Sequence, residues 1–239
     1  PLMPIQLDFA RLLEGASVWQ AYAWDPSLGT TYVIFDRNAP MDAAPRIVAG
    51  MPLFSWPTVN MYEDGDALVG ETVAYTDAGH FLGEAADMAL AMQGQAAAEG
   101  ARSYLHRVVI DGSGIHEETA LDAGHLEFPI VAIHGAHHPA MYCAYNPRDG
   151  FFWSGVMRFD GETIDSFDFG AGYFCGEPIF ASDEGHETRG WLLSEVGSAE
   201  RGQSFLAIFD AEHVAAVPVA QVELAHHLPI RFHGQWAAD

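Results

Sequence analysis

Short apolar runs separated by clusters of Gly, Asp, Asn and Pro recur along almost the whole chain. Examples lie at residues 31–35, 67–75, 104–110 and 190–196. Runs of this length, bounded by turn-forming residues, are typical of β-strands. The intervening segments Glu63-Asp64-Gly65-Asp66 and Asp160-Gly161-Glu162 are of the kind that closes a hairpin. The sequence therefore predicts an all-β fold of consecutive antiparallel strands.

A looser unit recurs within this pattern. A strand ending in Asp, a turn with Gly and a second strand occur at residues 109–120, 157–169 and 193–209. Units of roughly 40 residues with about four strands suggest propeller blades, because each small sheet must stack on its neighbours to bury its second face. The repeats are degenerate, so a β-sandwich stays open as the alternative. We expect residues 1–239 to form one domain.

One segment breaks the β pattern. Residues 81–100 are rich in Ala, Met, Glu and Gln, and Leu82, Ala86 and Leu90 follow helical spacing. The sequence predicts a short helical insertion near residues 82–100.

The charge balance excludes some partners. The chain has 33 Asp and Glu residues against 10 basic ones, a formal net charge of -23. Such a field repels phosphate backbones, so no nucleic-acid partner is expected. No membrane span or signal peptide is visible, and a cytoplasmic location is the expectation. The two cysteines, Cys143 and Cys175, cannot form a disulfide framework or a thiolate metal site.

Twelve histidines are many for this length. His134, His137 and His138 have a spacing at which imidazoles can share one metal ion. The segment also contains Gly135 and Pro139, which favour a solvated loop instead. His233 is isolated, but it lies in a Phe-His-Gly segment close to Trp236. A buried neutral imidazole needs a partner, and a metal with a carboxylate behind the other ring nitrogen is one stable arrangement.

Several motifs follow one another in the order and spacing of the carotenoid and lignostilbene cleavage dioxygenases. The most specific ones lie in the last sixty residues: Gly176-Glu177-Pro178-Ile179-Phe180, Gly190-Trp191-Leu192-Leu193, Leu206-Ala207-Ile208-Phe209-Asp210-Ala211, Pro218-Val219-Ala220-Gln221-Val222 and Leu228-Pro229-Ile230-Arg231-Phe232-His233-Gly234-Gln235-Trp236. Two further segments, residues 126–129 (Leu-Glu-Phe-Pro) and 59–66, also resemble family motifs. The chain is similar to the C-terminal half of this family.

The resemblance implies a fold, a cofactor and site residues. The fold would be the C-terminal blades of a seven-bladed β-propeller, hence an incomplete propeller. Family members hold Fe(II) with four histidines, backed by glutamates, and cleave an alkene by O₂ insertion. By motif, His233 corresponds to the last iron ligand, and Glu127 and Glu177 correspond to the carboxylates behind the ligands. The substrate would be an apolar conjugated molecule. Candidate cavity walls are Phe54, Trp56, Phe151, Phe152, Trp153 and Phe232.

The chain departs from the family pattern at one ligand. The family places its third histidine just before the motif that corresponds to residues 60–63, where this chain has Trp56 and Pro57. Neither side chain binds iron. The first two family histidines are expected further upstream, so we expect a missing N-terminal half or a second subunit to supply them. A single imidazole cannot hold Fe(II), so the chain is expected to be inactive alone.

Two alternatives to this enzyme remain. A non-catalytic propeller fragment that has lost iron, and that binds an apolar ligand or a partner subunit, is supported by Trp56-Pro57. A propeller hydrolase is disfavoured, because the chain has no Gly-x-Ser-x-Gly motif and its paired acids lie in hairpin turns.

Overall fold

The computed structural model describes residues 1–82, 102–148, 150–229 and 233–237. In these residues two short α-helices, α1 (Phe9–Leu13) and α2 (Val18–Ala21), and a 3-10 helix at Pro26–Leu28 accompany the strands. The strands are β1 (Ile5–Leu7), β2 (Tyr22–Trp24), β3 (Thr30–Ile34), β4 (Arg46–Gly50), β5 (Phe54–Asp64), β6 (Ala67–Tyr75), β7 (Tyr104–Ile110), β8 (Ile115–Leu121), β9 (His125–Val131), β10 (Met141–Asn146), β11 (Gly155–Phe159), β12 (Ile164–Asp168), β13 (Tyr173–Cys175), β14 (Ile179–Ser182), β15 (Gly190–Ser198), β16 (Gln203–Asp210) and β17 (Ala220–Glu223).

The strands form successive antiparallel sheets in chain order. β5 to β8 make one four-stranded sheet and β9 to β12 make the next. The last sheet has the order β13-β15-β16-β17, with β14 also paired to β15. Two-stranded sheets, β1-β2 and β3-β4, precede them. The three recurring units predicted from sequence are the β7-β8, β11-β12 and β15-β16 hairpins.

Hydrophobic side chains fill the spaces between neighbouring sheets. One cluster joins β9–β12 to the last sheet and contains Tyr142, Leu192 and Phe209, all fully buried. Another joins β5–β8 to β9–β12 around Val73 and Leu126. The β9–β12 sheet thus buries one face against the sheet before it and the other against the sheet after it, as predicted for propeller blades.

The two ends of this stack of sheets leave apolar side chains exposed. At the start of the chain Phe9 is 69% exposed and Leu13 is 89% exposed, while Ile47 of β4 is 66% exposed. At the other end all four residues of β17 are exposed, and Val217 just before it is 74% exposed. The stack is therefore open at both ends within the described residues.

The predicted helical insertion near residues 82–100 lies almost entirely outside the described residues, which resume at residue 102. Among the described helices, none is long and apolar enough to cross a membrane.

Glu117 of β8 connects the β3-β4 sheet to the β5–β8 sheet. Its carboxylate accepts from the Tyr32 hydroxyl at 3.2 Å and from the Met51 backbone N–H at 2.8 Å. The Nε2 atom of the buried His106 lies 3.3 Å from the same carboxylate. One side chain of β8 thus accepts hydrogen bonds from Tyr32 of β3 and from Met51 just after β4, which links the two sheets.

We expect Glu117→Ala to lower the free energy of unfolding by about 1–3 kcal/mol, because it leaves these donors without an acceptor. The adjacent Glu118 is exposed, so Glu118→Ala is the matched control and is expected to change it by less than about 0.5 kcal/mol. Urea unfolding followed by tryptophan fluorescence measures both. Equal effects of the two substitutions would contradict the bridging role.

Candidate functional site

Glu177 and His233 lie together, although 55 residues separate them in the chain. Glu177 occupies the turn between β13 and β14, and His233 lies in the closing segment after β17. The Glu177 Oε1 atom is 3.3 Å from His233 Nδ1, and Oε2 accepts from the Gly234 backbone N–H at 2.8 Å. The carboxylate therefore holds both the imidazole and the backbone that carries it.

This contact orients the imidazole. When Nδ1–H donates to a carboxylate, the lone pair of the neutral ring lies on Nε2, the atom available to a metal. The Glu177 side chain is 14% exposed and that of His233 is 82% exposed. The neighbouring aromatic rings do not bury His233: Phe128 contacts it at a centroid distance of 6.4 Å, and Trp236 is itself 52% exposed.

A cavity of about 450 Å³ opens beside His233 and Glu177. Its apolar lining includes Phe152, Phe174, Ile179, Leu193, Leu206, Leu228 and Pro229. The alternation of β15 explains part of this lining, because Leu192, Ser194 and Val196 face the core while the residues between them face the cavity. Phe152 is one of the cavity-wall residues predicted from the sequence.

Two polar residues of this cavity, Glu195 and His227, are not among the site residues predicted from the sequence. Side chains alternate between the two faces of a strand, so Glu195 lies on the same face of β15 as Leu193, two residues before it. This alternation could have predicted Glu195. His227 lies after β17, outside any strand.

Glu127 lies in a different and fully buried setting on β9. The Tyr75 hydroxyl oxygen is 2.6 Å from its Oε1 atom, and its Oε2 accepts from the Phe128 backbone N–H at 3.1 Å. Burial raises the pKa of Glu127 to about 7, against the hydrogen bonds from Tyr75 and Phe128. Burial lowers the pKa of the neighbouring His125 to about 4.

The backbone at Phe128 explains how Glu127 is turned into this position. Phe128 has φ of +50°, a conformation that non-glycine residues rarely adopt, and Pro129 follows it. The register of β9 against β10 shifts at this point, between Tyr142 and Ala144. Such bulges often re-aim a side chain next to a functional site.

The predicted cavity residues lie in different places. Phe54 is 1% exposed and packs in an aromatic cluster with Tyr75 and Phe81. Trp56 is 51% exposed and stacks on Phe81 at 5.5 Å. Phe232 lies outside the described residues. Neither Phe54 nor Trp56 lines the cavity beside His233. The role of all three as cavity walls stays a prediction.

The segment 134–138 forms a loop between β9 and β10 with His134 and His137 exposed, which agrees with the solvated-loop interpretation. His138 is the exception. Its Nδ1 accepts from the Asn60 side-chain amide at 3.2 Å, and its Nε2 is 3.2 Å from Glu71. Asn60 also accepts from the Gly135 backbone N–H, so the loop is fastened to β5 and β6.

The described residues do not assemble a complete metal site. No group of three or more His, Cys, Asp or Glu side chains that could hold a metal ion occurs among them. His233 with Glu177 behind it is suited to supply one ligand. Pro57, in β5, supplies none.

The family model described as retinal pigment epithelial membrane protein matches residues 1–238. The chain belongs to this family. The motif resemblance in the sequence is thereby confirmed over nearly the whole chain.

Two curated relatives show the extent of the match. The apocarotenoid-15,15'-oxygenase of Synechocystis sp. is 33% identical over 121 residues, which are 46% of this chain and 24% of that protein. The 9-cis-epoxycarotenoid dioxygenase NCED1 of Oryza sativa is 32% identical over 141 residues, 51% of this chain and 21% of that protein.

The solved structure of cobalt-substituted Synechocystis ACO superposes on the chain with a TM-score of 0.81 at 20% identity. The superposition covers 98% of this chain and 50% of the solved one. The chain thus spans about half the length of that relative. The fold is an incomplete β-propeller, as the sequence predicts, and not a sandwich.

Proposed function

We propose that this member of the family is the C-terminal portion of a non-haem Fe(II)-dependent dioxygenase that cleaves a conjugated alkene with O₂. The names of its relatives support oxygenase chemistry on carotenoids and apocarotenoids. A carotenoid, an apocarotenoid or a stilbene is the proposed substrate class.

The pairing of Glu177 with His233 carries the proposal. The carboxylate fixes the imidazole through Nδ1 and through the Gly234 backbone, which presents Nε2 as a ligand. The two residues come from segments far apart in sequence, both identified by motif. His233 is exposed beside an apolar cavity of about 450 Å³, which suits a ligand that faces a conjugated substrate.

Iron binding requires ligands from outside the described residues. Several imidazoles must converge to hold Fe(II), and the described residues converge on no such group. We propose that a companion N-terminal half, or a second subunit, supplies the remaining ligands and covers the exposed face of His233. The chain alone is then inactive. A cytoplasmic location stays a prediction from sequence.

The open ends of the stack support a companion of this kind. The exposed apolar residues around α1 and β4 and those of β17 lie on the first and last sheets, where further blades would stack. A propeller closes by such contacts between its first and last blades.

A second candidate function is a non-catalytic fragment that has lost iron and binds an apolar ligand or a partner subunit. Pro57 at the third ligand position favours it, because a complete four-histidine site cannot form there. The two candidates differ in metal content.

The test is the iron content of the chain purified together with its companion blades. For the dioxygenase we expect close to one iron per complex, and cleavage of an apocarotenoid or a stilbene that requires O₂ and stops on chelation. Chromatography of the products and elemental analysis provide the two measurements. A folded complex without iron contradicts the dioxygenase and supports the fragment.

A further inference from the structure

Three buried polar side chains form a continuous chain between β6 and β9. The Tyr75 hydroxyl oxygen is 2.6 Å from Glu127 Oε1 and 3.1 Å from His125 Nε2. His125 Nδ1 lies 3.1 Å from the Gly150 carbonyl oxygen. Tyr75 and Glu127 are each 3% exposed and His125 is fully buried. Water cannot replace these contacts, so the side chains must satisfy one another.

The number of hydrogens limits how the three groups can bond. The Gly150 carbonyl only accepts, so His125 Nδ1 carries a hydrogen. Tyr75 has one hydrogen and lies between two potential acceptors, Nε2 of His125 and Oε1 of Glu127. With Glu127 ionised, Tyr75 donates to Glu127 and its contact with His125 has no hydrogen. For both contacts to be hydrogen bonds, either Glu127 is protonated and donates to Tyr75, which donates to His125, or His125 is protonated and the direction reverses. Compared with a carboxylate and a neutral imidazole, both arrangements place one additional proton on the Glu127–His125 pair.

Burial favours the uncharged arrangement. A separated carboxylate and imidazolium at this depth would both lose their hydration, which is costly. The directions of the two pKa shifts agree, since desolvation raises the pKa of Glu127 to about 7 and lowers that of His125 to about 4. Among the residues that the structure describes, the other titratable side chains facing the network are His80, stacked on Tyr75 at 5.6 Å, and the buried Cys143. A charge on His80 would oppose protonation of His125 further.

We propose that Glu127 is held as an uncharged acid whose proton goes to the Tyr75 hydroxyl, which in turn donates to His125 Nε2. Tyr75 is then a positioning residue, because it fixes both the orientation and the protonation of Glu127. The network lies wholly within this chain. It makes Glu127 a neutral acid, where the motif resemblance implied a carboxylate.

The network changes how stability depends on pH. In the unfolded chain, where Glu127 and His125 have their usual pKa values of 4.5 and 6.5, the pair holds one proton between these pH values, on His125. In the folded chain it also holds one proton, on Glu127. Because both states bind the same number, the pair contributes no slope to stability between pH 4.5 and 6.5.

Replacing either Glu127 or His125 should make the stability depend on pH through the residue that remains. Glu127→Gln leaves His125, whose lowered pKa gives stability that is present above pH 6.5 and lost as the pH falls toward about 4. His125→Gln leaves Glu127, whose raised pKa gives stability that is present below pH 4.5 and lost as the pH rises through about 7. Between pH 4.5 and 6.5, and relative to the unsubstituted chain, the unfolding constant should change by roughly tenfold per pH unit in each variant. It should fall with rising pH in Glu127→Gln and rise with rising pH in His125→Gln.

The experiment is urea unfolding of the full chain across this pH range for the two variants and for Tyr75→Phe. Tyr142→Phe is the matched control, since Tyr142 is also fully buried but its hydroxyl donates to a backbone carbonyl, that of Thr188. We expect the control to keep the pH profile of the unsubstituted chain. Tyr75→Phe should raise the unfolding constant by on the order of tenfold, since it removes the hydroxyl that bonds to both Glu127 and His125. Parallel profiles for all variants would overturn the proposal.

Infrared spectroscopy tests the protonation state directly and does not require that the variants fold. At pH 6 the unsubstituted chain should show the C=O band of a protonated carboxyl group, which disappears with a midpoint near pH 7. Glu127→Gln should lack this band, while its amide, which can donate like the acid, should keep the fold. Absence of the band at pH 6 in the unsubstituted chain would overturn the proposal.

Discussion

Replacement of His233 by alanine is expected to remove iron from the assembled protein and to abolish oxygen-dependent alkene cleavage. The substitution deletes the imidazole that Glu177 orients. No group of three or more described His, Cys, Asp or Glu side chains could hold the metal without this ligand. A site that loses one of its few ligands cannot keep the metal in a fixed geometry. Elemental analysis and product chromatography on the same preparation measure the two losses.

His213→Ala is the matched control. The His213 side chain is 74% exposed, and its Nδ1 lies 3.3 Å from Asp210, so it repeats the exposure and the carboxylate contact of His233 away from the cavity. Iron and cleavage should be unchanged in this variant. Glu177→Gln should give an intermediate result, since loss of a carboxylate behind a ligand typically lowers metal affinity or activity by about 10–100-fold. Iron retained in full by His233→Ala would refute the ligand assignment.

Gly155→Ala should be among the most destabilising single substitutions in the chain. Gly155 begins β11 and pairs with Asp168 of β12. A Cβ atom there would lie 2.1 Å from the Phe167 carbonyl oxygen and 2.9 Å from the Asp168 Cα atom. Both are backbone atoms, which cannot rotate away, so the hairpin must separate. We expect a loss of about 3 kcal/mol or more in the free energy of unfolding.

Gly112→Ala is the control for this prediction. Gly112 lies in the turn between β7 and β8, and a Cβ atom there meets nothing within 4 Å. Urea unfolding should place this variant within about 0.5 kcal/mol of the unsubstituted chain. If the two alanine variants were equally stable, the close approach of β11 and β12 would be wrong.

The strands and their order could be predicted from the sequence because hairpin turns and apolar runs are local signals. The predicted runs 67–75 and 104–110 coincide with β6 and β7. The motif resemblance also selects Glu177 and His233, but the contact between them comes from the structure. The exposure of His233 could not be predicted either, because exposure depends on which blades surround the segment.

The Tyr75–Glu127–His125 network could not be predicted, for a physical reason. Almost every residue of β9 is buried, so the strand lacks the alternation of exposed and buried residues that would show which way Glu127 points. The bulge at Phe128 then changes the facing of the residues around it. Tyr75 ends β6, and only the stacking of two sheets brings it to Glu127. A contact between residues of two different sheets cannot be predicted from the spacing of residues along the sequence.

The open ends of the stack have a consequence for a solitary copy of the chain. The first sheet and β17 are different surfaces, so contact between them in two copies is head-to-tail and adds further copies without closing. The net charge of -23 opposes this in dilute buffer, but repulsion is screened beyond about 8 Å at physiological ionic strength. Added salt should therefore allow copies that repel one another in dilute buffer to associate head-to-tail into filaments. Companion blades that cover the first sheet and β17 would stop this association.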